Sequence, residues 1–396
     1  MTEPAVIDLR DPEFWQDPYP TYARARRSNR VARSATGEVI LLGADDLETA
    51  HTHPAFGQPG LLALERLWVY DGPFYEWRSK SMAAHDGSVH DRLRSTVVRA
   101  FTPRRVQKFR DALAEHARAL LAGVRLRESF DIVTDYADDL PLWLICEFLG
   151  LPVDQRAEIA GFLAGTESGF VDPLTPAGRR VAEAGIVALE HYVEGLIAAR
   201  EAAPGEDLVT DLLAAEQEGR LDRAELVALV VNVLGGAVGS SRAAITNSLL
   251  LLLTHPEQAA WVRADRDRLG PAIEECLRYH PPFRSGRKLV VADNDCFGVE
   301  LRAGATVFLA RQAANRDPAR WEDPDRFDVT RAPERHFSFG YGTHFCLGQA
   351  LARIDVQEAV QVFFDELPDA RLVTVTPRRV PFTPDEQIVE LRAAPR

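Results

Sequence analysis

The segment Phe337-Ser338-Phe339-Gly340-Tyr341-Gly342-Thr343-His344-Phe345-Cys346-Leu347-Gly348-Gln349-Ala350 constrains the fold more than any other part of the chain. From Leu347 onward, Leu347, Leu351, Ile354, Val356, Ala359, Val360, Val362 and Phe363 give a helical apolar face. Cys346 therefore falls just ahead of a helix N-terminus, where the dipole and free N–H groups favour a thiolate over a thiol. Gly340 and Gly342 allow a sharp turn and a close backbone approach to a flat partner. Gly348 keeps the first helical turn bare beside the sulfur. A thiolate with amide donors around it and a glycine-lined approach meets the needs of a cysteine-ligated haem iron.

Three plainer roles for Cys346 compete with that one. A small buried hydrophobe is the ordinary fate of a lone cysteine, and the one expected for Cys146 and Cys296. Zinc requires about four ligands, and only His336 and His344 lie near Cys346 in the sequence. A nucleophilic cysteine needs a partner base, which spacing does not supply. The pattern Phe-Gly-x-Gly-x-His-x-Cys-x-Gly decides between them, running without a gap from Phe339 to Gly348. It resembles the haem-binding loop of the cytochrome P450 family of haem-thiolate oxygenases.

A chain of 396 residues, 46% apolar, buries a large core, and no linker, repeat or low-complexity block divides it. A single domain over residues 1–396 is expected. The four cysteines, Cys146, Cys276, Cys296 and Cys346, show no C-x-x-C spacing, which argues for a reducing compartment. A net charge of −13 disfavours a nucleic-acid partner, because phosphate neutralisation needs a basic surface. The first ten residues carry no basic-then-apolar signal, and the apolar run Leu249–Leu253 is too short for a membrane span. The expectation is a soluble, cytoplasmic protein with no membrane contact.

Along the chain, residues 11–27 read as a proline-punctuated lead into a short helix, with Val39–Leu42 a strand and a helix near Asp45–Thr49. Asp17 to Pro20 is similar to a stretch found in bacterial members of the family. Residues 56–88, with Phe56, Trp68, Tyr70, Phe74, Tyr75 and Trp77, read as an irregular aromatic loop. The resemblance makes this a substrate-contacting loop and makes Phe74 a pocket residue. A helix beginning near His90 sets His90 and Arg94 on one face. Two cationic donors there suit a pair of carboxylates, and the match to the family's His-x-x-x-Arg helix implies the haem propionates. Arg104, Arg105, Lys108 and Arg110 form a basic cluster suited to docking an acidic electron-transfer partner.

Helical periodicity continues over Asp139–Leu149, stopped by Gly150, and over Asp154–Phe170 and Pro176–Ala199, joined through Val171-Asp172-Pro173. Residues 225–254 form the longest apolar helix, interrupted by Gly235-Gly236-Ala237-Val238-Gly239-Ser240-Ser241. Each internal glycine costs about 1 kcal/mol against alanine, which points to close packing on a flat partner or a pocket-forming kink. The resemblance implies that this helix crosses the haem with an acid followed by an alcohol. Counted back from Pro256, the alcohols are Ser240 and Ser241, and the acid position is Gly239. The acid is missing, while Ala237 falls beside the pocket.

Glu275 and Arg278 form Glu-x-x-Arg, by resemblance a buried structural pair. Strands are expected at Lys288–Val291, Cys296–Gly298 and Thr306–Leu309, and again around Arg371–Thr376 and Ile388–Leu391. Arg287 matches the family's third propionate-binding cation, with Lys288 as its competitor if the register slips. Phe283, Arg284 and Ser285 would line the pocket, and Arg284 could bind a substrate carboxylate.

The resemblance implies a mainly α fold with small β-sheets, and haem b held between the long central helix and the cysteine-ligand loop. Phe339, Gly340, His344, Cys346 and Gly348 would cradle it, with Cys346 on the iron. The implied chemistry inserts one oxygen atom from O2 into a small or medium organic substrate, with electrons from ferredoxin and ferredoxin reductase. The absent acid at Gly239 opens an alternative: peroxide use, oxidative coupling, or a substrate group acting as the acid. A non-catalytic haem-binding partner protein is a further alternative, although such relatives usually lack the cysteine.

Overall fold

The computed structural model of the chain describes residues 3–67, 69–170, 175–379 and 386–394. Trp68 and the Val171-Asp172-Pro173 junction lie outside the described residues. In chain order, the helices that position functional groups are α1 (Ala44–Thr52), α2 (Pro73–Lys80) and α3 (Gly87–Val97), then α4 (Asp139–Leu149), α5 (Arg156–Glu167) and α6 (Pro176–Ala202). They are followed by α7 (Arg223–Thr254), α8 (Leu269–Tyr279) and α9 (Gln349–Glu366). Local signals open and close them. The Asp222 carboxylate accepts the Glu225 N–H at 2.8 Å while Glu225 accepts the Asp222 N–H at 3.1 Å, a reciprocal cap at the start of α7. Helix α4 stops at Gly150, which takes φ +72°, the left-handed turn that glycine adopts without a Cβ penalty.

The chain forms two compact units, each assembled from distant stretches of sequence. The first comprises Met1–Pro59, Thr246–Cys346 and Arg371–Leu391; the second comprises Gly60–Ile245, Leu347–Ala370 and Arg392–Arg396.

The first unit is built on a six-stranded sheet, in the order Val6–Ile7, Val31–Ser34, Val39–Leu41, Thr306–Leu309, Gly286–Val290, Phe56–Gly57. Alternation along the strands divides its side chains between two faces. Leu41, Val307, Leu309 and Val290 pack with Leu47 and Phe337 on one face. Ile40 and Phe308 pack with Trp15 and Tyr22 on the other. The strand expected at Cys296–Gly298 is instead a turn: Gly298, at φ +71°, donates its N–H to the Asp295 carbonyl at 2.8 Å.

The second unit is helical. Helices α5 and α6 cross backbone to backbone, since a Cβ at Gly185 would lie 2.7 Å from the Thr166 nitrogen. That crossing fixes the end of α5, and with it Glu167. Tyr136 donates to the Ala359 carbonyl at 2.8 Å and Arg110 pairs with Glu358, which ties α9 into this unit. The strand Phe130–Asp131 pairs antiparallel with the end of Glu386–Ala394, Phe130 opposite Ala393.

Two expectations for this unit are corrected. Residues 56–88 are not an irregular loop, because Pro73 opens α2 at its first turn and buries Phe74 and Trp77. The basic cluster is largely consumed inside the unit, with Arg105 on Asp211, Lys108 on Glu206 and Arg110 on Glu358. It offers little net charge to a partner. Helix α7 is long and apolar enough by composition to cross a membrane. Its polar groups are nevertheless bound within the fold, Arg242 to Asp138 at 3.1 Å and Asn247 to the His280 carbonyl at 3.1 Å.

Candidate active site

In the first unit a buried network fixes the cysteine loop. Arg278 and Glu275, each 3% exposed at the side chain, meet in a bidentate pair at 2.7 and 2.8 Å. Arg278 also donates to the Asn315 carbonyl at 2.9 Å. The Asn315 side chain then accepts from the Phe337 N–H at 2.7 Å and donates to Ser338 Oγ at 3.2 Å, and Ser338 donates to the Leu277 carbonyl. The ion pair, the helix that carries it and the start of the loop thus form one hydrogen-bonded body. A guanidinium and carboxylate buried this fully hold together only with such extra partners.

Beyond Ser338 the loop turns twice at positive φ, Gly340 at +71° and Gly342 at +68°. A Cβ at Gly342 would fall 2.9 Å from the His51 carbonyl, so glycine is required there by both conformation and space. Arg335 lies 4.1 Å over the Tyr341 ring and 5.1 Å from that of Phe345. The Cys346 N–H donates to the Phe339 carbonyl at 2.9 Å. The fates of two other cysteines differ from that of Cys346. Burial pushes the Cys146 thiol up to about 12 and raises that of Cys276 further, so both persist as apolar thiols. Cys346 is half-buried on a glycine-lined loop.

Cations gather in the same unit. The His51 imidazole is pushed down to about 2, first by burial and then by Arg311, Lys288 and His344. Neither of its ring nitrogens has a hydrogen-bond partner. Arg287 does not belong to this group. It is exposed on the opposite face of its strand and pairs with Glu38 at 3.0 Å, while Lys288 is 3% exposed and turned inward. The competitor cation therefore replaces Arg287, and sequence spacing gave no sign of His51 or Arg311. Arg284 is likewise reassigned from the pocket, because its guanidinium meets the Trp15 carbonyl and the His280 ring, each at 3.2 Å. Phe283 is half-buried at the start of this segment.

In the second unit, His90 is buried on α3 with Nδ1 3.0 Å from Asp91, and Arg94 follows one turn later. Gly348 faces Phe101, whose ring would stand 3.9 Å from a Cβ there. Phe74 is core and not a pocket residue: it is 1% exposed, and its ring lies against Trp77 and Gly169. In the middle of α7, Gly235 and Gly236 are exposed while Ala237, Gly239 and Ser240 are half-buried, between turns that are fully packed. Ser240 donates to the Gly236 carbonyl at 3.2 Å. Ser241, one residue further round the helix, is buried.

The acid absent from α7 has a counterpart on α5. Glu167 Oε1 lies 3.5 Å from the point that a Cβ on Gly239 would occupy. Burial raises its carboxyl pKa, Asp138 raises it further, and Arg242 lowers it. Sequence inspection missed Glu167 because no local pattern links it to a residue more than seventy positions away.

These groups fit an iron porphyrin with carboxylate arms. A cysteine stands on a glycine-lined loop, and the charges of buried Lys288 and half-buried Arg311 and His344 bear on an imidazole that has no acceptor of its own. The fold and loop define a haem-thiolate protein. The sequence model described as Cytochrome P450 matches residues 180–364. Cytochrome P450 107B1 of Saccharopolyspora erythraea is 35% identical over 388 residues, covering 94% of this chain and 93% of that protein. Cytochrome P450 monooxygenase PikC of Streptomyces venezuelae is 33% identical, covering 99% of this chain and 94% of that one. The crystal structure of CalO2 superposes with a TM-score of 0.92 at 28% identity, covering 99% of each chain. The chain belongs to the cytochrome P450 family. It is a haem b monooxygenase that takes an organic substrate, O2 and electrons from a redox partner.

Proposed function

We propose that residues 1–396 work as one oxygenase domain, with haem b bound through Cys346 and its propionates met by His90, Arg94, Lys288 and His344. His51 and Arg311 add to the positive field around those carboxylates. Phe339, Gly340 and Gly348 leave room for the flat ring. The observation that carries this reading is the group of cations, Lys288, Arg311 and His344, whose charge bears on the half-buried His51, in the unit that also holds Cys346. When bound, the haem supplies O2 activation, which thiolate ligation assists by favouring O–O cleavage. One oxygen atom enters a C–H bond or double bond of the substrate and the other leaves as water, with a pair of electrons and a pair of protons consumed.

The chain's own part is to supply those protons. Glu167 holds one on its carboxyl group, and the Ser240 hydroxyl relays it along the glycine face of α7. This arrangement removes the need for a substrate group to act as the missing acid. Electrons come from NAD(P)H through ferredoxin and ferredoxin reductase, and the acidic charge and unpaired cysteine pattern support a cytoplasmic location. The substrate is a small or medium organic molecule of bacterial secondary metabolism or catabolism.

The test is spectroscopic. The reduced, carbon monoxide-bound protein is expected to show the strongly red-shifted Soret band of thiolate ligation, and Cys346→His is expected to abolish it. An unchanged band in that variant overturns the assignment.

A further inference from the structure

Proton delivery and haem binding leave Arg78 of α2 without a task. Its Nη1 lies 3.4 Å from Ser81 Oγ, and its Nε is buried with no acceptor. Ser81 is fully buried and donates to Asn232 Oδ1 of α7 at 2.8 Å, and Asn232 in turn donates to the Ala228 carbonyl at 2.8 Å. Among the described residues no carboxylate lies within ion-pair distance of Arg78. Burial alone pushes the guanidinium down to about 10. Even so the half-buried residue keeps its charge at neutral pH, and a charge withdrawn from water is tolerated only when an anion or a set of acceptors meets it.

The neighbours of Arg78 give the direction of whatever it binds. Asn232, Gly236 and Gly239 are spaced i, i+4, i+7 and share one face of α7. Ser240 follows immediately, and Glu167 stands at Gly239 on that same stretch. From Asn232 to Ser240 the helix rises about 12 Å. The segment begins at a cation and ends at the proton relay, and its middle is lined by glycine backbone.

We propose that Arg78, assisted by Ser81, anchors a carboxylate head group of the substrate, whose apolar body runs along α7 toward Gly236 and Ser240. The guanidinium fork and the adjacent polar chain match a planar two-oxygen anion, while a phosphate dianion calls for more positive charge than one arginine carries. Oxidation then falls on a carbon remote from the carboxylate. This inference rests on the monooxygenase reading above and narrows its substrate class to organic acids.

The experiment uses the haem-loaded protein with tetradecanoate, its methyl ester and its primary amide, read by the spin-state shift of the haem spectrum. The acid is expected to bind on the order of 30-fold tighter than the ester or amide, the scale of losing one partner of a buried charge pair. Arg78→Gln is expected to lower affinity for the acid by a similar factor, to leave that for the ester unchanged, and to keep the thiolate-type carbon monoxide spectrum. Arg78→Lys retains part of the preference. Without ligand, Arg78→Gln is expected to melt no lower than the parent, because it removes a partly desolvated charge that has no anionic partner. A clear drop would mark a merely structural arginine and overturn the proposal. So would an acid that fails to bind or binds no better than its ester, or oxidation next to the carboxylate. Loss of the thiolate spectrum in the parent protein would instead overturn the haem reading, which separates the two failures.

Discussion

Glu167→Gln removes the transferable proton while keeping the size and most of the hydrogen-bonding capacity of the side chain. A positioned general acid contributes roughly 10²–10⁴-fold. Because Ser240 and water remain, the expected loss of product formation is near the lower end, about 100-fold, with NAD(P)H oxidation diverted to hydrogen peroxide. Gly239→Asp is the complementary change, and here geometry reverses the simple expectation that restoring the family's acid helps. The new carboxylate would stand beside a Glu167 oxygen that already lies 3.5 Å from the Cβ position. Two like charges about 4 Å apart at an effective dielectric of ~20 repel by about 4 kcal/mol, or about three pK units. The pair then shares one proton, and the apparent pKa of turnover rises. Gly239→Asp alone is therefore expected to gain nothing at neutral pH, whereas the swap Glu167→Gln/Gly239→Asp restores coupling.

The assays are product formed per NAD(P)H, peroxide released, and melting temperature against pH. The last has a definite sign. Burial raises the Glu167 carboxyl pKa, so between the unfolded value of about 4.3 and that raised value the folded chain keeps a proton the unfolded chain has lost. Stability therefore falls as pH rises through that window. Glu167→Gln removes this slope, raising the melting temperature at neutral pH and above but not near pH 4. If Glu167 served only to offset the Arg242 charge, Glu167→Gln would remain tightly coupled, and that result would refute the relay.

Two further outcomes follow from the site. Lys288→Ala is expected to lower haem retention, since charge-assisted bonds to a propionate are worth roughly 1.5–3 kcal/mol each, while Arg287→Ala leaves haem affinity unchanged; the reverse ranking in a haem-transfer assay sinks the register argument. Asp355 of α9 is buried without a partner for Oδ1, and burial pushes its carboxyl up to about 8. Stability is therefore expected to decline from about pH 4 toward pH 8, by at most about 1.4 kcal/mol per pH unit. Asp355→Asn should match the parent at pH 4 and exceed it at pH 8, and equal melting temperatures at pH 8 would contradict the assignment.

What the sequence disclosed and what it hid separate along a physical line. Cys346, Gly340 and Gly342 were legible because a tight turn with positive φ at two glycines admits few residues, and those residues are contiguous. Glu275 and Arg278 were legible because i,i+3 neighbours meet on any helix. Arg287 was misjudged for the opposite reason: on a strand a slip of one residue exchanges the faces, and distance from Arg278 did not fix the register. Phe74 misled because an aromatic in an aromatic-rich stretch looks the same whether it faces a pocket or fills a core. Glu167 was invisible because its proximity to Gly239 depends on a tertiary crossing, set by Gly165 and Gly185, that no period in the sequence reveals. The departure at Gly239 reads as the loss of an acid, yet the requirement is for a carboxyl group at a point in space, and the α5–α6 crossing leaves Glu167 Oε1 3.5 Å from the Cβ position of Gly239. On this account the glycine and the distant glutamate are two halves of one substitution, and changing either alone should be worse than changing both.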